Sequence, residues 1–251
     1  MTTDHPDERL LQDCSSMRAY LLAGGRGERL RPLTDRVPKC LAPVGGRPLL
    51  AYWLSLCRRE GVTDVLLNVS HHFAMVDAFL ASWPEPTPRV TVVRETEPSG
   101  TATTVKRERW FSVGVPDVWV FYADNLSDLR LGPMRHLHDS HDDLLTVGLF
   151  HTPSPSSAGI VELDPDGKIV SFVEKPANPR SDLANAGVYL MRSAVIDAIP
   201  DGPGLVDFGQ HVLPALVGRM HGYVIPDFHE DIGTPERLVH ATAGWAARTS
   251  S

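Results

Sequence analysis

Short and almost wholly apolar runs alternate along the chain with stretches whose apolar residues recur at helical spacing. Runs at 19–23, 65–69, 90–93, 118–122 and 144–150 read as strands buried on both faces. Between the first two, Leu49, Leu50, Trp53, Leu54 and Cys57 follow the period of an amphipathic helix that starts behind Pro48 and ends at Gly61. Strands that alternate with helices in this way predict an α/β fold, a mostly parallel sheet flanked by helices. The rhythm changes after about residue 150. Apolar runs at 160–163 and 168–173 flank Asp164-Pro165-Asp166-Gly167, a turn sequence that predicts an antiparallel hairpin and with it a second lobe. Further strands at 187–191 and 222–225 and a helix at 206–217 follow. Thr234-Pro235 then opens a last helix with Leu238, Ala241, Thr242 and Trp245 on one face.

Composition narrows the class. The 251 residues are 42% hydrophobic and 22% charged, which suits an ordinary globular chain with a core large enough to fold unaided. A net charge of −7 provides no broad basic field, which argues against nucleic acid as a partner. Cys14, Cys40 and Cys57 are odd in number and share no metal-binding spacing, and they read as reduced thiols. No apolar stretch approaches the length of a membrane helix, and Met1–Arg9 is polar and acidic, unlike a signal peptide. The expectation is a soluble cytoplasmic protein with a mobile extension at 1–16. Trp83-Pro84-Glu85-Pro86-Thr87-Pro88 reads as a stiff surface loop.

Candidate chemistry starts directly after the first strand. Gly24, Gly25 and Gly27 form a loop whose backbone N–H groups can approach a phosphate or ribose, and Arg29 and Lys39 add cationic charge for a polyphosphate. Two common phosphate motifs fail here. The string G-x-x-x-x-G-K-[ST] is absent, and Leu30 stands where a dinucleotide fingerprint needs its third glycine.

The series Ala23-Gly24-Gly25-x-Gly27-x-Arg29-Leu30-x-Pro32-Leu33-Thr34 and Pro38-Lys39-x-Leu41-x-Pro43-Val44 closely resembles the sugar-1-phosphate nucleotidyltransferases, or nucleotide-sugar pyrophosphorylases. The likeness continues in order through Glu95-Thr96-Glu97-Pro98-Ser99-Gly100-Thr101-Ala102, Ala123-Asp124-Asn125, Glu174-Lys175-Pro176, Asn185-Ala186-Gly187-x-Tyr189 and Asp231-Ile232-Gly233-Thr234-Pro235. It implies a Rossmann-like domain over 17–251, with a nucleotide lobe at 17–150 and a sugar-phosphate-binding remainder at 151–251. It also implies attack of a sugar-1-phosphate on the α-phosphorus of a nucleoside triphosphate.

In such a site, Leu22, Ala23, Gly24, Gly25, Gly27, Arg29, Gly100 and Asp124 would meet the nucleotide, with Arg29 on the departing pyrophosphate and Lys39 near the α-phosphate. Lys175 would bind the sugar phosphate, with Gly159, Glu174 and Asn185 around the sugar. Asp124 and Asp231 would hold Mg²⁺. The resemblance is nearest to the mannose- or heptose-1-phosphate guanylyltransferases, and thymidylyl or uridylyl transfer to glucose-1-phosphate stays open. So does a silent regulatory subunit, and self-association is a further expectation.

Other residues read more plainly. Taken alone, Asp124 would be a helix cap and Asp231 a turn residue. His136, His138 and His141 lie among aspartates and read as a solvated helix face rather than a zinc site. His71-His72 reads either as a helix cap or as a contact to the nucleotide base, and Trp53 and Trp245 read as core. Ala123, Ser99 and Thr103-Thr104 depart from the family pattern beside the base and sugar pockets.

Overall fold

The strand Met17–Ala23 (β1) sends Ala19 and Leu21 to one face and Tyr20 and Leu22 to the other, and all four are buried. A run apolar on both faces is what a strand covered by helices on both sides requires. The computed structural model describes residues 16–85, 88–97, 99–200 and 204–249; the expected extension lies almost wholly outside them, as does Cys14. After β1 come a hairpin of β2 (Pro43–Val44) and β3 (Arg47–Pro48), then α1 (Leu49–Arg59), β4 (Val62–Val69), α2 (Phe73–Ala81), β5 (Arg89–Arg94) and α3 (Thr101–Arg107). Next are β6 (Asp117–Tyr122), β7 (Asn125–Ser127), α4 (Leu131–Asp139), β8 (Leu145–His151), β9 (Gly159–Leu163), β10 (Ile169–Glu174) and β11 (Leu183–Arg192). The chain continues through α5 (Ala194–Ala198), a π-helical turn (Phe208–Val212), α6 (Leu213–Ala215), β12 (Met220–Val224), β13 (His229–Asp231) and α7 (Pro235–Thr249).

One nine-stranded sheet runs through the molecule in the order β10-β9-β11-β6-β1-β4-β5, with β8 on β11 and β12 on β8. The expected parallel core is β5-β4-β1-β6. The sheet as a whole is mixed, because β11 runs antiparallel to both β6 and β8. The hairpin β9–β10 forms where its turn predicts, with Asp164 Oδ1 accepting from the backbone N–H of Asp166 at 3.0 Å and Lys168 at 2.8 Å. It joins the same sheet through β9 and β11.

Two expected elements change. β5 is a sheet edge with alternating exposure rather than a strand buried on both faces. The helix foreseen at 206–217 is broken into the π-turn and the short α6, because Pro214 has no N–H to donate and its ring crowds the carbonyl one turn back.

Helices cover both faces. One core joins α1, α2, α4 and α7 to the sheet through Trp53, Val76, Met134 and Ala241 against Leu21, Leu67 and Phe121. The other joins α3, α5 and α6 through Val105, Ile196 and Leu213 against Tyr20, Leu66 and Val120. Trp53 is core, as expected, and Trp245 packs against the same cluster. Cys40 and Cys57 are free and buried, and burial pushes both thiols up to about 12, which leaves them protonated and unreactive. Among the described residues, no helix is long and apolar enough to cross a membrane.

At the amino end of β6 lies a buried ionic knot. Asp117 accepts from Arg135 at 2.7 Å and Arg192 at 3.1 Å, and His138 Nε2 lies 3.4 Å away. The solvated-face reading therefore fails for His138. It is fully buried, because α4 packs this side of its surface on the sheet, while His136 stays exposed. Burial works to raise the Asp117 carboxyl, but His138, Arg135 and Arg192 outweigh it and hold the group down at about 2. Its stabilisation is complete above the ordinary value of 3.8 and is lost as pH falls towards about 2. Asp117→Asn should cost about 2 kcal/mol in urea unfolding at pH 7, since it strands two half-exposed arginines. The difference from the parent should shrink at pH 2–3; a gap that stays constant with pH would show that the carboxylate charge is not what stabilises.

Candidate active site

The glycine loop leaves the carboxyl end of β1, and Asp124 follows the carboxyl end of its neighbour β6. From β1 the chain builds the sheet outward through β4 and β5 and then returns to the other side with β6. The crevice at such a reversal is where open α/β sheets bind ligands.

Two cavities meet there. The larger, about 690 Å³, is lined by Leu22, Ala23, Gly24, Gly25, Gly27, Arg29, Lys39, Gly100 and Asp124, every residue expected around the nucleotide. The smaller, about 300 Å³, is lined by Arg29, Asp124, Gly159, Glu174, Lys175, Asn185 and Asp231. Arg29, Thr101, Tyr122, Asp124 and Asp207 belong to both walls. His71 and His72 line neither; they open α2, where His72 is the N-cap with φ 52°.

Backbone pairing fixes the carboxylates. β13 pairs with β7 so that Asp231 stands opposite Asn125, next to Asp124. The Asp124 segment is held from behind, since Trp53 Nε1 donates to the Asn125 carbonyl at 2.8 Å and Asn125 Nδ2 donates to the Ala186 carbonyl at 3.0 Å. Lys39 rises from a buried turn behind Pro38, and its ammonium lies 2.8 Å from Asp124 Oδ2 and 3.9 Å from Asp231 Oδ1. Desolvation in the cleft opposes ionisation of Asp124, but Lys39 outweighs it, with a smaller contribution from Arg29, and holds the carboxyl below its usual range.

The second cavity is less tightly held. Lys175 follows β10 in a left-handed conformation, φ 47°, with its ammonium 3.6 Å from Glu174 Oε1 and its side chain 61% exposed. Asn185 donates to Tyr189 Oη at 2.8 Å and accepts from the Gly187 N–H at 3.0 Å, so one donor and one lone pair of its amide stay available.

The glycines at 100 and 159, expected to be bare for a ligand's sake, also have reasons within the chain. Gly100 has φ +83°, and a Cβ there would lie 2.8 Å from the Val206 carbonyl oxygen; a Cβ at Gly159 would lie 2.7 Å from the Phe172 ring and 2.8 Å from Glu174.

Several site residues escaped the sequence reading. Arg237 on α7 ion-pairs with Asp231 and reaches Ser157 at 3.2 Å. A cation in the first turn of a helix opposes the helix dipole, and that mismatch was the signal available. Glu95, 4% exposed, lines the larger cavity and accepts from Thr104 at 2.6 Å, Ser99 at 3.0 Å and Arg107 at 2.5 Å. Ser99, a departure from the family pattern, is thus a donor to a buried carboxylate. Asp207 accepts from the Thr101 backbone and hydroxyl at 3.1 and 3.0 Å and ties the 204–212 segment across both cavities.

Comparison with known proteins gives a consistent result. The chain is 33% identical over 229 residues to the mannose-1-phosphate guanylyltransferase of Mycobacterium tuberculosis, covering 90% of this chain and 63% of that protein. It is 31% identical to a rice protein, Oryza sativa subsp. japonica, named as a probable mannose-1-phosphate guanylyltransferase 1, covering 89% and 63%. The chain thus spans less than two thirds of the length of these relatives. Among solved structures, a Bacillus anthracis protein provisionally described as a glucose-1-phosphate thymidylyltransferase superposes with a TM-score of 0.81 at 26% identity, covering 91% of this chain and 94% of that one. HddC from Yersinia pseudotuberculosis shares the fold, with a TM-score of 0.76 at 24% identity and coverage of 91% and 99%. The Nucleotidyl transferase family model matches residues 18–248, from the first strand into the last helix, and the chain belongs to that family.

Proposed function

We propose that this protein transfers a nucleotidyl group from a nucleoside triphosphate to a sugar-1-phosphate, releasing pyrophosphate and a nucleotide-sugar. The observation that carries this reading is the shared wall. Two unequal cavities adjoin at Arg29 and Asp124, so a triphosphate in the larger and a sugar phosphate in the smaller would bring their phosphates together. Attack by the sugar-phosphate oxygen on the α-phosphorus expels pyrophosphate directly. Alignment of two bound reactants can supply about 7–11 kcal/mol of the barrier.

The residues divide the work by charge. Arg29 presents a planar fork of donors to the departing pyrophosphate, and Lys39 stands nearest the reacting α-phosphate. Lys175, free to move at the mouth of the smaller cavity, meets the sugar phosphate, while Glu174 and the spare donor and acceptor of Asn185 face the hydroxyls. Asp124 and Asp231 offer hard oxygens, and one ammonium reaches both, so the two carboxylates face a common point. That donor set fits Mg²⁺, which would supply charge neutralisation on the phosphates when bound. The named relatives favour GTP with mannose-1-phosphate, and a heptose-1-phosphate falls within the same reading. A silent regulatory subunit is disfavoured by the joint presence of Arg29, Lys39, Asp124, Lys175 and Asp231.

Pyrophosphate release with Mg²⁺, measured across GTP, dTTP, UTP, ATP and CTP against mannose-, heptose- and glucose-1-phosphate, tests the proposal. Turnover should require one triphosphate and one sugar phosphate; triphosphate binding without release from any pair would favour the regulatory reading. Asp124→Asn and Asp231→Asn should each lower kcat by about 100-fold or more with unchanged circular dichroism. Near-parental rates in both would remove the metal assignment. Lys175→Ala should raise KM for the sugar phosphate about tenfold and leave KM for the triphosphate alone. Equal losses for both substrates would exclude that role.

A further inference from the structure

The opposite end of the sheet carries a second constellation, remote from both cavities. His141 and Asp143 lie in the turn between α4 and β8, and His221 is the second residue of β12. β12 pairs with β8 so that His221 stands beside Thr146 at the amino end of β8, whereas Phe150 near the carboxyl end of β8 and Thr152 just past it line the smaller cavity. Each of the three residues offers a ligand atom, and these atoms lie within 4.8 Å of one another.

Their hydrogen bonding is incomplete. His141 Nδ1, Asp143 Oδ2 and His221 Nδ1 are buried and make no hydrogen bond. Asp143 Oδ2 and His221 Nδ1 stand as an ion pair 2.7 Å apart outside hydrogen-bonding geometry, and a bound cation would replace this contact. Three clustered ligand atoms without hydrogen bonds suit a cation, and two imidazoles with one carboxylate suit zinc, whose ligand atoms stand about 3.3 Å apart in a tetrahedron.

The surroundings hold the His141 ring through its other nitrogen. His141 Nε2 lies 3.0 Å from Thr146 Oγ1, which leaves Nδ1 as the free lone pair when Nε2 carries the proton. The same hydroxyl lies 2.8 Å from His138 Nδ1, and His138 faces Asp117, so the threonine is itself held in place. The second oxygen of Asp143 lies 3.4 Å from Lys168 Nζ. The rings of His141 and His221 stack at 4.1 Å with an 11° interplanar angle, so both lone pairs meet one ion only when one ring turns out of the stack.

We propose that His141, Asp143 and His221 form a zinc-class divalent metal site, with a fourth position for water, that staples the α4–β8 turn to the edge strand β12. The site is independent of the nucleotidyl-transfer reading and supports the fold from the end of the sheet opposite the two cavities.

The test uses the full chain, stripped with chelator and desalted, then titrated with Zn²⁺ by calorimetry and thermal unfolding. One equivalent should bind, and a hundredfold excess over Kd should raise Tm by about 5–10 °C. His141→Gln and Asp143→Asn should each weaken Zn²⁺ binding at least tenfold and abolish the shift, while Asp124→Asn leaves both unchanged. Co²⁺ added to the parent protein should give tetrahedral d–d absorption, a readout that does not depend on any variant folding. Absence of binding at micromolar Zn²⁺, or an equivalent lost in Asp124→Asn and kept in His141→Gln, would overturn the proposal and leave an ordinary His–Asp ion pair.

Discussion

The ammonium of Lys39 stands 2.8 Å from Asp124 and 3.9 Å from Asp231, on a side chain only 8% exposed. Two carboxylates turned to one point repel each other, and a buried ammonium is costly without a counter-charge. Each group makes the others tolerable. The glycine loop, the turn behind Pro38, the loop after β6 and the β7–β13 ladder all converge on this charge cluster. Arg237 on Asp231 and Arg29 beside Asp124 extend it outward, which leaves the floor of the cleft electrically poised for polyanions.

Much of this was legible in the chain, for physical reasons that differ by element. The strands β1, β4 and β6 announced themselves because burial on both faces demands unbroken apolar runs, and the β9–β10 turn because Asp164 and Gly167 have few other uses in that order. The lining of the larger cavity was legible because a glycine loop against fixed cations serves few purposes. What was missed depends on contacts between distant segments. Neither the edge position of β5 nor the burial of His138 can be read from local pattern, since each depends on what lies opposite. Arg237 and Asp207 act through Asp231 and Thr101, which no periodicity connects to them.

The two ends of the sheet show a division of labour. At the carboxyl ends of β1 and β6, side chains are held by loops and face open space. At the amino end of β6, Asp117 is enclosed by Arg135, Arg192 and His138, so charge there is spent on holding strands and α4 together. Strand β11 connects the two, with Asn185 at the cleft and Arg192 in the knot.

The β7–β13 ladder is only three residue pairs long, Asn125 to Asp231, Leu126 to Glu230 and Ser127 to His229. It joins segments far apart in sequence, and closing so long a loop is entropically unfavourable until other contacts have formed. The Lys39–Asp124 contact closes a loop of similar length, 85 residues apart, but it stands on the β1–β6 pairing of the main sheet, whereas Asp231 is tied to Asn125 by this short separate ladder. Local opening of the ladder would therefore part the two carboxylates while leaving the nine-stranded sheet intact.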